Sequence, residues 1–190
     1  MADHLYRDLE ILSEDYSLQA SAEVTYENCV FRDCNFSEAN LSKMSFSECI
    51  FDTCNFSNTR LGSAAFQEVI FRNSKLIGLN FENCNSFLLS FTFENCQLNF
   101  SSFFKLTLKN TIFDTCAVIQ TDFSNADLSG AQFRNCDLSG STFAGTRLEK
   151  ADFSTAQNLN IDPEDNFLSG ARFSAQNIQG LLNKYKIIIE

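Results

Sequence analysis

Large apolar residues recur at every fifth position through most of this chain. Counting in fives from Tyr26 gives Phe or Leu at each step up to Phe81, and after a slip of two residues the count resumes at Leu88 and runs to Phe153. Phe or Leu fills 24 of these 26 positions, which excludes chance. An α-helix repeats about every 3.6 residues and a strand every 2, so neither element explains the spacing. A period of five instead predicts short extended stretches separated by corners.

A second pattern accompanies the first, because the residue two positions before each Phe or Leu is small. Side chains two apart in an extended stretch point to the same face, so the large and the small residue both face inward. The residues between them are mostly polar and face solvent. The small positions include Cys29, Cys34, Ala39, Cys49, Cys54, Ala64, Cys96, Ser101, Cys116, Ala126, Ala131, Cys136, Ser141 and Ala151.

The unit is plainest in residues 126–130 and 136–140, which read ADLSG and CDLSG. These repeats resemble the pentapeptide-repeat family, whose consensus is A(D/N)LXX, and the resemblance covers residues 23–156. It implies an all-β fold, a right-handed quadrilateral β-helix with four pentapeptides per coil. Each coil of such a solenoid contacts only its neighbours.

The chain divides into three segments by this pattern. Residues 1–22 lack the repeat and contain the single His, His4, so an N-terminal cap is expected there. The solenoid is expected over residues 23–157. Residues 158–190 are expected to form a C-terminal cap and dimerisation segment, with Ser174 as the N-cap of a short helix and a strand at 186–190. The apolar stripe of that helix covers either the solenoid's own core or a second copy; it comprises Ile178, Leu181, Leu182 and Tyr185.

The register slip falls in residues 82–87. Two extra residues in a coil require a bulge at a corner, which is either a neutral irregularity or a contact point on a rigid scaffold. The candidate contact residues are Glu82, Asn83, Asn85 and Phe87. Phe100 and Phe104 lie outside the five-residue register and are further candidates for a contact patch.

Eight Cys residues raise the question of disulfides or metal binding. All eight occupy the small inward position, and several are separated by multiples of twenty, so they stack along the solenoid. We predict free, buried thiols that pack as small apolar groups. A reducing compartment disfavours their oxidation.

Composition narrows the function further. The net charge is −10, which disfavours nucleic acid and anionic membranes as partners; it either favours basic protein partners or serves solubility alone. No secretory signal and no apolar run long enough for a membrane span is visible, so a cytoplasmic location is expected. With one His and no phosphate-binding loop, we expect no enzymatic activity, no catalytic residues, no cofactor and no metal.

The end of the chain, residues 167–190, resembles the C-terminal signature of the quinolone-resistance (Qnr-type) subgroup. That resemblance implies a homodimer joined at the C-terminus, whose acidic rod imitates duplex DNA and binds DNA gyrase and topoisomerase IV, protecting them from quinolone-type inhibitors. Counting in twenties places Glu27, Glu48 and Glu68 near one edge as an acidic stripe, whereas Arg32, Asp52 and Arg72 alternate in sign on the next face. The chain lacks the large projecting loop of many Qnr-type proteins. The alternative is a generic interaction scaffold with an unknown protein partner.

Overall fold

The chain winds into a right-handed, four-sided parallel β-solenoid. The computed structural model describes residues 4–17 and 23–188. Parallel pairing joins residues twenty apart, as in Tyr26 with Phe46 and Phe31 with Phe51. One coil therefore contains four pentapeptides, and the fold class predicted from the five-residue period is confirmed.

Two parallel sheets cover adjacent sides of the solenoid. Isolated bridges, such as Asn40 with Arg60 and Asn55 with Lys75, hold the other two sides. No helix within residues 4–17 and 23–188 is long and apolar enough to cross a membrane. One sheet contains β1 (His4–Arg7), β3 (Val24–Glu27), β5 (Ser45–Ser47) and β7 (Ala65–Gln67). The other contains β2 (Glu10–Leu12), β4 (Val30–Arg32), β6 (Ile50–Asp52), β8 (Val69–Arg72), β9 (Phe91–Glu94), β10 (Ile112–Asp114) and β11 (Gln132–Arg134).

The core is a set of stacked ladders that run along the solenoid axis. On the side of the longer sheet, successive Phe rings stack with centroids 4.7 to 5.6 Å apart. Burying one such side chain contributes about 1.5–3 kcal/mol. The rings of this ladder belong to Phe31, Phe51, Phe71, Phe93, Phe113, Phe133, Phe153 and Phe173.

The thiols fill the corners between the ladders. All eight Cys are buried and free of disulfides, so the prediction of small, buried thiols is confirmed. Seven of the eight thiols donate to a carbonyl of the coil before their own, as in Cys54 Sγ to Phe31 O at 3.5 Å. Burial raises the pKa of the Cys54 thiol to about 12 and keeps it protonated at neutral pH.

The N-terminal segment differs from the prediction. Residues 4–17 are not a separate cap without repeats, because β1 pairs in register with β3 and β2 pairs with β4. Tyr6, Ile11 and Tyr16 occupy the positions that Tyr26, Phe31 and Phe36 occupy in the next coil. The repeat was missed because Tyr and Ile replace Phe and Leu there. The solenoid therefore already includes residues 4–17.

The C-terminal segment also differs in its local structure. The predicted short helix is two 3-10 helices, Ile178–Leu181 and Asn183–Tyr185, which lie over the last coil. Residues 186–188 are not in a strand, and residues 189–190 of the predicted strand lie outside the described residues. Lys186 has a φ of 51°, a left-handed conformation that ends the helical turns.

Candidate protein-binding surface

The two-residue slip is confirmed as an interruption between two coils. The spacing of twenty residues per coil persists up to Asn85, whose N–H donates to Ala64 O at 2.8 Å, as the Ala65 N–H donates to Met44 O one coil earlier. Beyond it, Phe71 pairs with Phe93, twenty-two residues later. The extra residues therefore lie within 86–90, slightly after the predicted segment 82–87.

The interruption exposes apolar side chains. Phe87 is 74% exposed and Leu88 is 55% exposed, so the prediction that Leu88 continues the inward ladder is wrong. Phe91 is buried instead, with its ring centroid 5.6 Å from that of Phe66. It occupies a position that holds a small residue in other coils, and its large ring fills the space that Leu88 leaves.

The backbone of the interruption is held by a local turn. Asn85 Oδ1 accepts the Phe87 N–H at 2.9 Å, which is an Asx turn. Leu88 has a φ of 55°, in the left-handed region. Among the non-glycine residues with positive φ in the described chain, only Leu88 and Phe100 are apolar. That conformation costs an ordinary L-residue about 1–2 kcal/mol.

Glu82 and Asn83, the other two predicted contact residues, belong to the preceding regular coil. They lie in the 3-10 helix Phe81–Asn83, and Asn83 O accepts the Ser63 N–H at 2.7 Å as the stacking pattern requires. Glu82 Oε2 is buried without a hydrogen-bond partner among the described residues. Of the four predicted contact residues, only Phe87 therefore lies in the interruption, and Asn85 borders it and holds its first turn.

The predicted acidic stripe is two residues rather than three. Glu48 and Glu68 are exposed and share one corner column, each at a left-handed turn position with φ of 53° and 51°. Glu27 lies one position earlier, in β3, where Arg7 Nε contacts its Oε2 at 2.6 Å. Counting in twenties from Glu27 leads to Ser47 in β5, so the sequence count was off by one residue.

The acidic column leads directly to the interruption. Ser90, the last residue of the interruption, stacks on Glu68, whose N–H donates to Ser90 Oγ at 2.7 Å. Glu48, Glu68, Phe87 and Leu88 are named here the interruption corner. It combines two apolar side chains with two carboxylates that have no cationic partner among the described residues.

The neighbouring face confirms the predicted alternation of charge. Arg32, Asp52 and Arg72 are in register on successive strands. Arg32 contacts Asp52 at 2.7 Å, and Arg72 contacts Glu94 at 2.6 Å. These pairs neutralise one another, so this face carries little of the negative charge.

The two off-register Phe residues lie away from the interruption corner. Phe100 is exposed at a corner where its column neighbour in the preceding coil is Gly78, which leaves room for the ring. Phe104 is half-buried, and Lys105 Nζ lies 4.8 Å from its ring centroid. Phe100 is therefore a second exposed aromatic residue and a useful internal control.

The predicted dimer residues lie in the C-terminal 3-10 helices. Ile178 and Tyr185 are about half exposed, and the Tyr185 hydroxyl donates to Glu164 Oε1 at 2.8 Å. Leu181 packs on the core of this copy, and Leu182 is half-buried. Ile178 and Tyr185 are the two that remain accessible to a second copy.

The stacked coils of five-residue units make this protein a repeat solenoid. Its similarity to a known protein family agrees with that class. The family model described as "Pentapeptide repeat region" matches residues 23–92 and 87–162. The chain belongs to the pentapeptide-repeat family. No curated protein matches the sequence.

A solved structure resembles the chain in fold. HetL, a pentapeptide-repeat protein involved in heterocyst differentiation regulation from the cyanobacterium Nostoc sp. strain PCC 7120, is 18% identical with a TM-score of 0.63, over 90% of this chain and 86% of HetL. Full-length QnrB1, a plasmid-mediated fluoroquinolone resistance protein, is 21% identical with a TM-score of 0.40, over 96% of this chain and 100% of QnrB1.

Proposed function

We propose that this chain is a non-enzymatic protein-binding scaffold whose contact surface is the interruption corner. The observation that carries the proposal is the adjacent pair Phe87 and Leu88, exposed on an otherwise regular solenoid. Leu88 additionally holds a backbone conformation that is unfavourable for its side chain. A partner that buries both side chains offsets this cost, and exposed apolar clusters on rigid surfaces are typical of protein contacts.

The charges beside the apolar pair indicate the chemistry of the partner. Glu48 and Glu68 project from the same corner, and the whole chain carries a net charge of −10. Complementary potentials accelerate association and exclude like-charged partners. The partner surface is therefore proposed to be an apolar pocket with a basic rim.

Crosslinking in cells with matched variants tests the corner. The double variant Phe87→Ser/Leu88→Ser should no longer form a crosslinked complex that wild type forms. The double variant Glu48→Gln/Glu68→Gln should form less of that complex. Phe100→Ser is the control, because Phe100 is also exposed and left-handed but lies at another corner. Loss of the same complex with Phe100→Ser, or its survival in the Phe87/Leu88 variant, would contradict the assignment of the corner.

A type II topoisomerase is the specific partner we propose. This step rests on the resemblance of residues 167–190 to the Qnr-type subgroup and on the acidic charge. DNA mimicry needs clustered charge, and the pairing of Glu27 with Arg7 reduces it on the side that holds β1 and β3. Supercoiling by gyrase, measured with and without ciprofloxacin, should change when the protein is added. No change at protein concentrations well above those needed for dimer formation would exclude the topoisomerase and leave the general scaffold intact.

We further propose a homodimer formed through the C-terminal end in the cytoplasm. Ile178 is 49% exposed beside the half-exposed Tyr185, and both face away from the core. Ile178→Asp should convert dimers to monomers in light scattering coupled to sizing chromatography. A wild type that is already monomeric would exclude this dimer.

A further inference from the structure

Among the described residues, β1 and β2 are the outermost strands of their sheets at the N-terminal end. Within the described residues, β1 pairs only with β3 and β2 pairs only with β4, so the opposite edge of each strand has no neighbour. Open parallel edges are templates for another extended chain. The first coil therefore presents the same surface that every later coil uses to hold its neighbour.

The stacking pattern identifies the backbone groups on this edge. In the later coils, the N–H groups of Val30 and Asn35 donate to the preceding coil at 2.9 Å each. The matching residues of the first coil are Glu10 and Asp15, whose N–H groups have no acceptor within residues 4–17 and 23–188. The carbonyls of Glu27 and Arg32 accept from the preceding coil, and their counterparts on Arg7 and Leu12 are likewise unpaired there.

Apolar side chains surround these backbone groups. Leu12 is 56% exposed, and Leu5, Tyr6 and Leu9 are each exposed by slightly more than 40%. An added strand in register would cover these side chains as the second coil covers the other side of the first. The edge therefore offers both hydrogen-bonding groups and apolar contact to an incoming strand.

The charges on the coil indicate what kind of strand fits. Arg7 is the only Lys or Arg in residues 4–17, against four acids. Arg7 contacts Glu27 in the next coil. Asp8, Glu14 and Asp15 have no cationic partner among the described residues, since Asp8 bonds to Asn28 and Asp15 to Asn35. Such a rim repels a second copy of the same acidic edge and attracts basic side chains.

We propose that this N-terminal edge binds an extended segment of a partner protein in which apolar and basic residues alternate. The segment adds as one more strand beneath β1 and β2, with main-chain hydrogen bonds giving affinity and the alternate side chains giving specificity. Apolar residues of the segment cover Leu5 and Leu9, and a basic residue meets Glu14. This surface is separate from the interruption corner and does not depend on the function proposed there.

A defined peptide serves as the probe. A short acetylated and amidated peptide of alternating valine and lysine should bind the full chain in calorimetry, at least about tenfold more tightly than the matching valine and glutamate peptide. Hydrogen exchange should slow at the amides of β1 and β2 when the valine and lysine peptide binds. Amides of β10 and β11, far from the edge, should exchange as before.

Matched variants place the binding on the edge. Leu12→Lys should weaken binding of the valine and lysine peptide by about tenfold or more. The change removes an exposed apolar side chain from the edge and adds a positive charge that repels the lysines of the peptide. Phe167→Lys is the control, since Phe167 is equally exposed, at 56%, on the last coil. Glu14→Gln should weaken binding of the same peptide without altering an apolar contact, whereas Glu38→Gln, at an exposed acid of the second coil, should not.

Several results would overturn the proposal. Equal affinity for the two peptides would show that the edge does not select basic residues. Absence of binding at a peptide concentration of about 1 mM would show that the acidic residues only protect the edge from other strands. Slowed exchange confined to other strands would place the binding elsewhere. A wild-type dimer that Leu12→Lys dissociates, but Ile178→Asp does not, would assign the edge to a second copy of this chain.

Discussion

The two ends of the solenoid terminate the same stack of coils in different ways. At the C-terminal end, side chains and 3-10 turns cover the last coil, whereas in residues 4–17 at the N-terminal end strand edges and rings are exposed. Tyr6 is 42% exposed although it occupies the ladder position at which Phe46 is buried. The contrast shows that the repeat by itself does not close a solenoid; the ends need groups outside the pattern.

Two Asn side chains provide that closure at the C-terminus. Asn177 Nδ2 donates to Phe153 O at 2.6 Å and to Ala156 O at 3.0 Å, carbonyls that a further coil would otherwise bond. Asn166 bridges in the same way, with Oδ1 accepting from Thr146 N at 2.8 Å and Nδ2 donating to Phe143 O at 2.9 Å. A carboxamide can replace backbone because it carries the same donor and acceptor.

The largest effect should come from removing a ladder ring beneath the closed end. Phe153→Ala should lower the free energy of unfolding by about 3–5 kcal/mol, since the ring is fully buried between Phe133 and Phe173. The corresponding change at the open end, Tyr6→Ala, should cost only about 1 kcal/mol because it loses one stacked ring pair. Urea denaturation measures both, and equal losses would contradict the contrast between the ends.

Removal of the Asn177 carboxamide should have the next largest effect. Asn177→Ala leaves Ala156 O without a donor, leaves Phe153 O with only the Ala156 N–H, and removes the acceptor of the Ser174 N–H. It should cost about 2–3 kcal/mol in urea denaturation. Asn183→Ala is the control, because its bonds are longer, at 3.5 and 3.3 Å, and more exposed. Similar losses in the two variants would show that the closed end does not depend on the Asn177 bonds.

Gly180 tests how closely the terminal turns approach the last coil. A Cβ at this position would lie 2.3 Å from Leu159 O and 2.8 Å from Leu159 C, which are backbone atoms that cannot rotate away. Gly180→Ala should therefore lift the 3-10 turns and cost about 1–3 kcal/mol. Hydrogen exchange should rise in residues 178–185 but not in β1 or β2. Unchanged exchange at residues 178–185 would mean that the turns accommodate the methyl group.

The periodic part of the molecule was predictable from sequence because the pattern is dense. Phe113, Phe133 and Phe153 recur at twenty residues in the sequence and stack in the structure. The inward position of Cys54 and Cys136 followed from the same count. Wherever each residue repeats the role of its counterpart one coil away, position in sequence determines position in space.

The aperiodic features were harder to predict, for reasons that differ between sites. Leu88 fits the apolar pattern but is excluded from the core because the backbone loops out and Phe91 fills the space. Counting in twenties predicted one column for Glu27 and Glu48, although the two are twenty-one residues apart. In the structure Glu27 pairs with Ser47, so an error of one residue in the count assigns the side chain to the wrong column. The closing role of Asn177 has no periodic signal, since its side chain bonds carbonyls that bond a following coil elsewhere in the described residues.

The smallest loss of stability should come from removing the ion pairs that join the C-terminal 3-10 turns to the preceding loop. Lys184 Nζ lies 2.6 Å from both Asp162 Oδ1 and Glu164 Oε2, and its hydrogen bonds hold the pKa of each carboxyl below the ordinary 3.8 and 4.5. A carboxyl with a lowered pKa in the folded state stabilises the fold above its unfolded pKa and loses that contribution as pH falls through the folded value.

The urea midpoint of wild type should therefore exceed that of Lys184→Gln at neutral pH, and the difference between the two midpoints should disappear as pH falls below the ordinary carboxyl pKa values. Because both carboxyls are exposed, the gap should also shrink with added salt. A gap that persists unchanged in strong acid would mean that Lys184 stabilises the closed end through its packing on Tyr185, whose ring centroid lies 5.0 Å from Nζ, rather than through its charge.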